Sequence, residues 1–300
     1  MVNLKKENPE SILRKNVSKF LRSPTSHRAP LSPFLRKISK LGGAAFFFGG
    51  TLRDLMLFGL GKHPRDIDVV VLSLSNRLRS FLEPYIQKST RFDGIEVELG
   101  HWDIDLWELS STWAFRSGFF ETEGFETLPK TTFLDVQAVA AKICGESGSK
   151  GRIFEHGFFN AIHQKTIGIN FEENPYPARC VLSALTTARK LNFSLSPGLV
   201  RYVLHHAARI DLKELCAHQQ RQLGRVLFPV DTLHCWIKHL ESNYRRYHSS
   251  CVKLPIKKTP GQNLLPWHGY FEFGTVSLQC QATPASAETN RQPLQQGLFA

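Results

Sequence analysis

Residues 46–72 read F-F-F-G-G-T-L-R-D-L-M-L-F-G-L-G-K-H-P-R-D-I-D-V-V-V-L, and the order of these parts decides the fold. Phe46 to Phe48 form a short apolar run that stops at Gly49-Gly50, as a buried strand does. Thr51 suits a helix cap, and Leu52, Leu55 and Met56 then fall at helical spacing. Strand, Gly-Gly turn and helix start follow one another. Gly59, Gly61 and Pro64 break the helix. Asp66 to Leu72 then reads as a second strand entering the core.

The same stretch carries chemistry. Glycine lets a bulky anion approach the backbone, and a helix N-terminus offers N–H groups to phosphate. On a strand, Asp66 and Asp68 point the same way, roughly 6.5–7 Å apart along the chain. Two carboxylates on one edge can hold Mg²⁺, which prefers oxygen ligands and phosphate. In two-metal phosphoryl chemistry the ions lie about 3.5–4 Å apart and stabilise attacking and leaving oxygens. A third carboxylate completes such a site. Trp102-Asp103-Ile104-Asp105-Leu106-Trp107 is a second strand-like run with two acids on one face. One of them is expected to meet Asp66 and Asp68 across neighbouring strands. Asp105 is the first candidate, because it directly precedes Leu106-Trp107 as Asp68 precedes Val69-Val70; Asp103 is the second.

Gly49-Gly50-Thr51-Leu52-Arg53-Asp54 followed by Asp66-Ile67-Asp68 resembles the head domain of the class II CCA-adding enzymes and bacterial poly(A) polymerases, within the polymerase-beta-like nucleotidyltransferase superfamily. Their pattern is G-G-x-V-R-D, a small loop, then D-x-D. Thr131 to Ala141 is similar to the family's R-R-D-F-T-I-N-A-L segment. Residues 174–199 are similar to its D-P-L-R-I-L-R-A-L-R-F-A-A-R-L-G-F-x-I-D-P neck helix. The likeness spans roughly residues 42–200 and is strongest in its first thirty.

The resemblance implies an α+β fold, with a mixed sheet and flanking helices in the head and an all-helical neck and body behind it. It also implies a Mg²⁺-dependent nucleotidyltransferase. Such an enzyme moves a nucleoside monophosphate from a nucleoside triphosphate (ATP among them) to an RNA 3′ end and releases pyrophosphate. Carried over by position, Asp66 and Asp68 hold catalytic metal, Gly49 and Gly50 cradle the triphosphate, and Arg53 lies near it. Asp54 is expected to brace the turn by accepting backbone N–H groups. Two departures stand out. Thr131-Thr132 replace the family's double arginine. Ser183 and Thr186 stand where neck arginines read the incoming base, and neither offers the planar donor fork of an arginine. Arg179 and Arg189 are nearby, at another helical phase. The chemistry is thus expected to be kept and the nucleotide selection altered. Two other readings stay open: transfer to a protein or small molecule, and a catalytically silent RNA-binding relative.

The 38 Lys and Arg outnumber the 26 Asp and Glu, for a net charge of +12 over 300 residues. A basic balance favours polyanionic partners, nucleic acid first among them. No stretch approaches the roughly 20 apolar residues that span a bilayer, so no membrane partner is expected and the reading is cytoplasmic. The six cysteines include no C-x-x-C pair, which gives zinc fingers and dithiol redox motifs no support. The histidines, His205-His206 among them, show no metal-ligand spacing.

The chain divides into a basic N-terminal arm or short docking helix (1–41), a nucleotidyltransferase head (42–170), a helical neck and body (171–251) and an irregular tail (252–300). Within the head, Asn76–Gln87 and Phe133–Ile143 are expected as helices, and Gly94–Leu99 with Trp102–Leu109 as a hairpin turning at Gly100-His101. Thr112–Phe125 is aromatic, either a stacking surface for bases or packing under a loop. In the body, Ala178–Leu191, the segment opened by Ser196-Pro197, Asp211–Leu227 and Val230–Tyr247 read as helices. Arg221 with Arg225, and Tyr244 to Tyr247, are basic surfaces that suit an acceptor's phosphates.

Overall fold

The structure, a computed structural model, describes residues 8–22, 30–61, 66–89, 94–121, 124–143, 151–223 and 225–255. The expected tail lies almost wholly outside the described residues. In chain order the elements are α1 (Pro9–Arg22), α2 (Leu31–Leu41), β1 (Ala45–Phe48), α3 (Gly50–Phe58), β2 (Asp66–Val71), α4 (Asn76–Leu82), β3 (Ile86–Ser89), β4 (Ile95–Leu99), β5 (Trp102–Glu108), α5 (Trp113–Arg116), β6 (Val139–Lys142), β7 (Ile153–Glu155), α6 (Phe158–Gln164), β8 (Thr166–Ile167), α7 (Pro177–Leu191), β9 (Ser194–Leu195), α8 (Pro197–Ala207), α9 (Leu212–Leu223), α10 (Val230–Arg246) and β10 (Val252–Lys253).

The main sheet runs β3-β4-β5-β2-β1-β6-β7. β2 and β5 are parallel and the other neighbouring strands antiparallel. The fold is therefore α+β with a mixed sheet, as the sequence predicts. Alternation gives the sheet two different faces. Phe47, Val69, Val71, Ile104 and Leu106 point into the main core beneath the helices. Phe46, Val70 and Ala140 point the other way, into a smaller apolar cluster with Phe115, Phe125 and Leu128. The acids of β2 and β5 share this second face by parity.

The described part of residues 1–41 is two packed helices rather than an arm. Asn8 opens α1, its Oδ1 accepting from Glu10 N at 2.9 Å. Ile12, Leu13, Val17 and Phe20 then form one buried stripe. Phe20 meets Phe47 and Trp102 edge-on, with ring centroids 6.0 and 5.7 Å apart. On α2, Leu31, Phe34, Leu35 and Ile38 are buried. These apolar residues sit among many basic ones, which hides the stripe from composition but not from helical spacing.

Three further expectations are corrected. Phe133–Ile143 is not a helix: a 3₁₀ turn at Asp135–Gln137 leads into β6, which pairs with β1 through Phe47↔Ala141. The sheet claims this apolar run because β1 needs a partner on that side. The Asn76 helix ends at Leu82, where Pro84 lies in a 3₁₀ turn, and the chain then enters β3. Thr51 is not the cap of α3; Gly49 is.

After the sheet, α7, α8 and α10 follow the expected ranges closely, whereas α9 ends at Leu223 rather than Leu227. Ser196 caps α8, its Oγ accepting from Leu199 N at 3.3 Å. A small β10-β9-β8 sheet joins the ends of these segments.

Candidate active site

Gly49 stands at the corner between β1 and α3 with φ +62° and ψ −121°, a backbone that only glycine adopts without strain. Its N–H donates to Val139 O at 3.1 Å, which binds the corner to β6, and its carbonyl accepts the first helical bond, from Arg53 N at 3.2 Å. The amides ahead of that bond are the groups a helix start turns towards an anion. A Cβ at Gly49 would lie 4.0 Å from Asp68 Oδ2. The turn and the β2 carboxylate are therefore neighbours. Thr51 adds to this, its Oγ1 accepting from Asp68 N at 3.3 Å.

The parallel register of β2 on β5 pairs Asp68 with Asp105 and Asp66 with Asp103. Adjacent strands lie about 4.8 Å apart, so the four positions are neighbours in register on one face. Asp105 is 5% exposed, whereas Asp68 and Asp103 are half-buried. The Asp66 side chain lies outside the described residues. The register brings both candidate acids to that face, Asp105 beside Asp68 and Asp103 beside Asp66. Sequence reasoning missed two others: Glu96 and Glu98 on β4 stand opposite Asp105 and Asp103. The alternation Ile95-Glu96-Val97-Glu98-Leu99 carried that signal. Glu96 is engaged by Lys88, at 2.8 Å.

Among the described residues no three His, Cys, Asp or Glu side chains converge as a ready metal cage. The donor chemistry nonetheless fits Mg²⁺: carboxylate oxygens in register on adjacent strands, one of them buried, beside a glycine corner. Asp66, Asp68 and Asp105, or Asp103, are the residues that would hold it.

Asp54 behaves differently from expectation, and Arg53 is one of its partners. Arg53, 5% exposed, turns its guanidinium onto Asp54, with Nε donating to Oδ1 at 2.8 Å and Nη2 2.7 Å from the same oxygen. Asp54 also accepts from Lys190 Nζ on α7, at 2.9 Å. Among the described contacts, Asp54 is braced by these two cations rather than by backbone N–H groups. Burial pushes its carboxyl up, but Arg53 and Lys190 outweigh burial and hold it below the ordinary value. Arg53 still borders the corner: a Cβ at Gly50 would lie 3.7 Å from its Nη2.

On the neck helix, Thr186 is buried and donates to Leu182 O at 2.7 Å. It closes on its own helix, and Ser183 is half-buried one turn before it. Arg179 is buried, its Nε donating to His218 Nε2 of α9 at 3.0 Å and its guanidinium 5.2 Å from the Tyr176 ring centroid. Lys190 is an α7 cation engaged with α3, through Asp54. Thr131 and Thr132, where the resemblance has arginines, donate to Leu128 O and Pro129 O at 2.8 and 3.2 Å.

The aromatic segment divides. Phe115 and Phe125 are buried, and Phe125 stacks on Phe46 with ring centroids 4.1 Å apart. Phe119 is 45% exposed and meets Trp113 and Phe171 at 5.3 and 5.4 Å.

No family model and no curated protein matches this chain. Solved structures share its fold. A CCA-adding enzyme in complex with CTP superposes with a TM-score of 0.55 at 16% identity, covering 76% of this chain and 55% of the other. A CCA-adding enzyme in an apo form gives 0.55 and 16%, with 76% and 54% covered. A tRNA-processing enzyme in an apo form gives 0.50 and 19%, with 75% and 57% covered. The chain spans little more than half the length of these proteins.

Proposed function

We propose that the chain is a Mg²⁺-dependent nucleotidyltransferase that moves a nucleoside monophosphate from a nucleoside triphosphate to an RNA 3′ hydroxyl, releasing pyrophosphate. The carrying observation is the register of Asp68 on Asp105 beside the Gly49 corner. It gives an anion-accepting helix start and a carboxylate pair on one sheet face. A fold shared with a CCA-adding enzyme holding CTP supports the choice of chemistry.

In this reading the α3 start and Arg53 receive the triphosphate. Asp66, Asp68 and Asp105 hold Mg²⁺, with Asp103 next in line. Bound metal supplies Lewis-acid stabilisation of the oxygens around the α-phosphate and lowers the pKa of the attacking hydroxyl. The protein's own contribution is placement. Gly49 fixes the corner, β2 and β5 fix the carboxylates, and the Arg53–Asp54–Lys190 chain fixes α3 against α7. Most of the rate in phosphoryl transfer comes from such positioning and charge stabilisation.

With Ser183 and Thr186 in place of base-reading arginines, the proposal includes a nucleotide preference different from ordered C-C-A addition. Purified protein, Mg²⁺ and each of four α-labelled nucleoside triphosphates, offered small RNA, test it. Label on RNA from one preferred triphosphate, absent in Asp68→Asn, is the expected result. Full transfer by Asp68→Asn would sink the reading. Label that moves to protein or small molecules instead would overturn the RNA acceptor.

A further inference from the structure

Helices α1, α2 and α4 cover the sheet face opposite the acids. Phe20 of α1 packs on Phe47 and Trp102. A Cβ at Gly42, just after α2, would lie 3.0 Å from Val71 Cβ. Leu78 of α4 joins the same core. α2 touches both α1 and α4, and Phe34 of α2 lies 5.3 Å from Phe81 of α4, centroid to centroid. The three helices form one continuous outer layer.

The charge on that layer is mainly positive. Lys15, Lys19 and Arg22 of α1, Lys37 and Lys40 of α2, and Arg77 of α4 are exposed. The lone acid within these helices, Glu10, is half-buried and paired with Arg14. Lys15, Lys19 and Arg22 are spaced i, i+4, i+7 and so form one stripe. Lys37 lies 6.0 Å from the Phe81 ring centroid, at the seam of α2 and α4, which carries the charge from one helix to the next. None of the described exposed large apolar side chains sits on these helices.

We infer that this outer layer is a docking surface for the phosphate backbone of a folded RNA. The inference rests on the RNA reading above for its partner, but it concerns a different face of the head. Charge decides the occupant. A surface on which, among the described residues, these six exposed Lys and Arg face only Glu10, paired with Arg14, and Glu83 at the end of α4 is strongly positive and suits a polyanion. Anionic lipid fits less well, because a membrane-seated helix inserts apolar side chains, and those of α1 and α2 are already used in the core. Base-specific recognition is not implied, since lysines contacting phosphates carry no sequence information. The surface would hold the body of an acceptor whose 3′ end reaches around to the acid face.

The test is binding of a tRNA transcript across a salt series to the full chain and to Lys15→Glu/Lys19→Glu/Lys37→Glu/Lys40→Glu. The substituted residues are exposed, so the fold should persist. Circular dichroism checks it, and a Lys→Gln version of all four positions is a milder second variant. At about 100 mM salt, reversal should weaken binding at least about tenfold and lower the slope of log K against log salt by roughly 2–4, near one unit per phosphate contact. The Gln version should fall between. Nucleotide addition to a short oligonucleotide should be unchanged. An Arg245→Glu/Arg246→Glu variant on α10 should bind far more nearly like the unaltered chain. Unchanged affinity and slope in the four-site reversal would overturn the inference. So would loss confined to phosphatidylserine vesicles, or loss caused by the α10 change alone. Because binding is read without catalysis, a chain that transfers no nucleotide would defeat the functional proposal and leave this result legible.

Discussion

Lys190 Nζ lies 2.9 Å from Asp54 Oδ2, although the two residues stand 136 positions apart. This contact joins α3, which opens at the glycine corner, to α7, which begins the helical half of the chain. Asp54 holds Arg53 with its other oxygen, so one buried carboxylate ties the neck to the guanidinium beside the candidate phosphate site. Lys190→Met should leave Asp54 with a single cation and cost about 1–3 kcal/mol of stability. Transfer activity should fall further than stability explains, because α3 loses its brace. Thermal melts and initial rates together decide this; a variant with unaltered melting and rate would remove the brace from the argument.

The same carboxylate sets an acid limit. Its folded pKa is held below the ordinary value, with burial opposed by Arg53 and Lys190. A depressed acid contributes stability above its unfolded pKa, near 3.9, and loses that contribution as pH falls through the lower folded value. Stability should therefore drop below about pH 4, and Lys190→Met should flatten that drop. Urea unfolding between pH 2.5 and 5 measures it. An identical acid limb in both proteins would contradict the assignment.

Phe20 offers a direct check on the N-terminal helices. It is 1% exposed and packs edge-on to two aromatic rings. Phe20→Ala should cost about 3–5 kcal/mol, the usual range for removing a buried phenylalanine. A flexible arm would give no measurable change in chemical denaturation.

The strand–corner–helix unit and both acid-bearing strands were legible because their signals are local. Glycine punctuation, helical spacing and alternation act within a few residues. Parity alone placed Asp103 and Asp105 on one face, but pairing each with a particular acid of β2 needed the parallel register, a tertiary fact. Phe133–Ile143 was misread because a short apolar run has no period of its own and takes the form of its partner, here β1. The helices within residues 8–41 were read only as an arm or a short docking helix because Lys, Arg, Ser and Pro interrupt the apolar positions, yet Ile12, Leu13, Val17 and Phe20 fall on one stripe. Lys190 was unreadable as a partner of Asp54, since nothing local links residues so far apart.

Asp135 should make stability fall as pH rises. Its Oδ2 accepts from Gly168 N at 2.8 Å, while Oδ1 is buried without a hydrogen-bond partner. Burial pushes its carboxyl up to about 6, against the pull of three backbone hydrogen bonds. The folded state then binds its proton more tightly than the unfolded chain, whose value is near 3.9. Between about pH 4 and pH 6 the unfolded state binds fewer protons, so the slope of stability against pH is negative there. The full effect is about 3 kcal/mol at neutral pH. Asp135→Asn should remove that slope. Denaturation at pH 4.5 and 7 in both proteins reads the difference, and a slope that survives the substitution would assign it to another group.

Asp105 and Asp103 can be separated by their different strand partners. Asp105 is buried and lies in register with Asp68, whose Oδ2 borders the glycine corner. Asp103 is half-buried and lies in register with Asp66. If the metal-binding carboxylates gather at the corner, Asp105→Asn removes a ligand and Asp103→Asn a neighbour. Loss of a ligand in metal-assisted transfer is worth several kcal/mol, so Asp105→Asn should reduce the rate by about 100-fold or more. Asp103→Asn should lower it by roughly tenfold or less. The Mg²⁺ dependence separates the two further: Asp105→Asn should need much higher Mg²⁺ for its residual rate, while Asp103→Asn should keep a near-normal requirement. Rates of label transfer across a Mg²⁺ series, with melting curves for both variants, make the comparison. A larger loss and a shifted Mg²⁺ requirement in Asp103→Asn would move the third carboxylate one pair along the strands, to the side of Asp66.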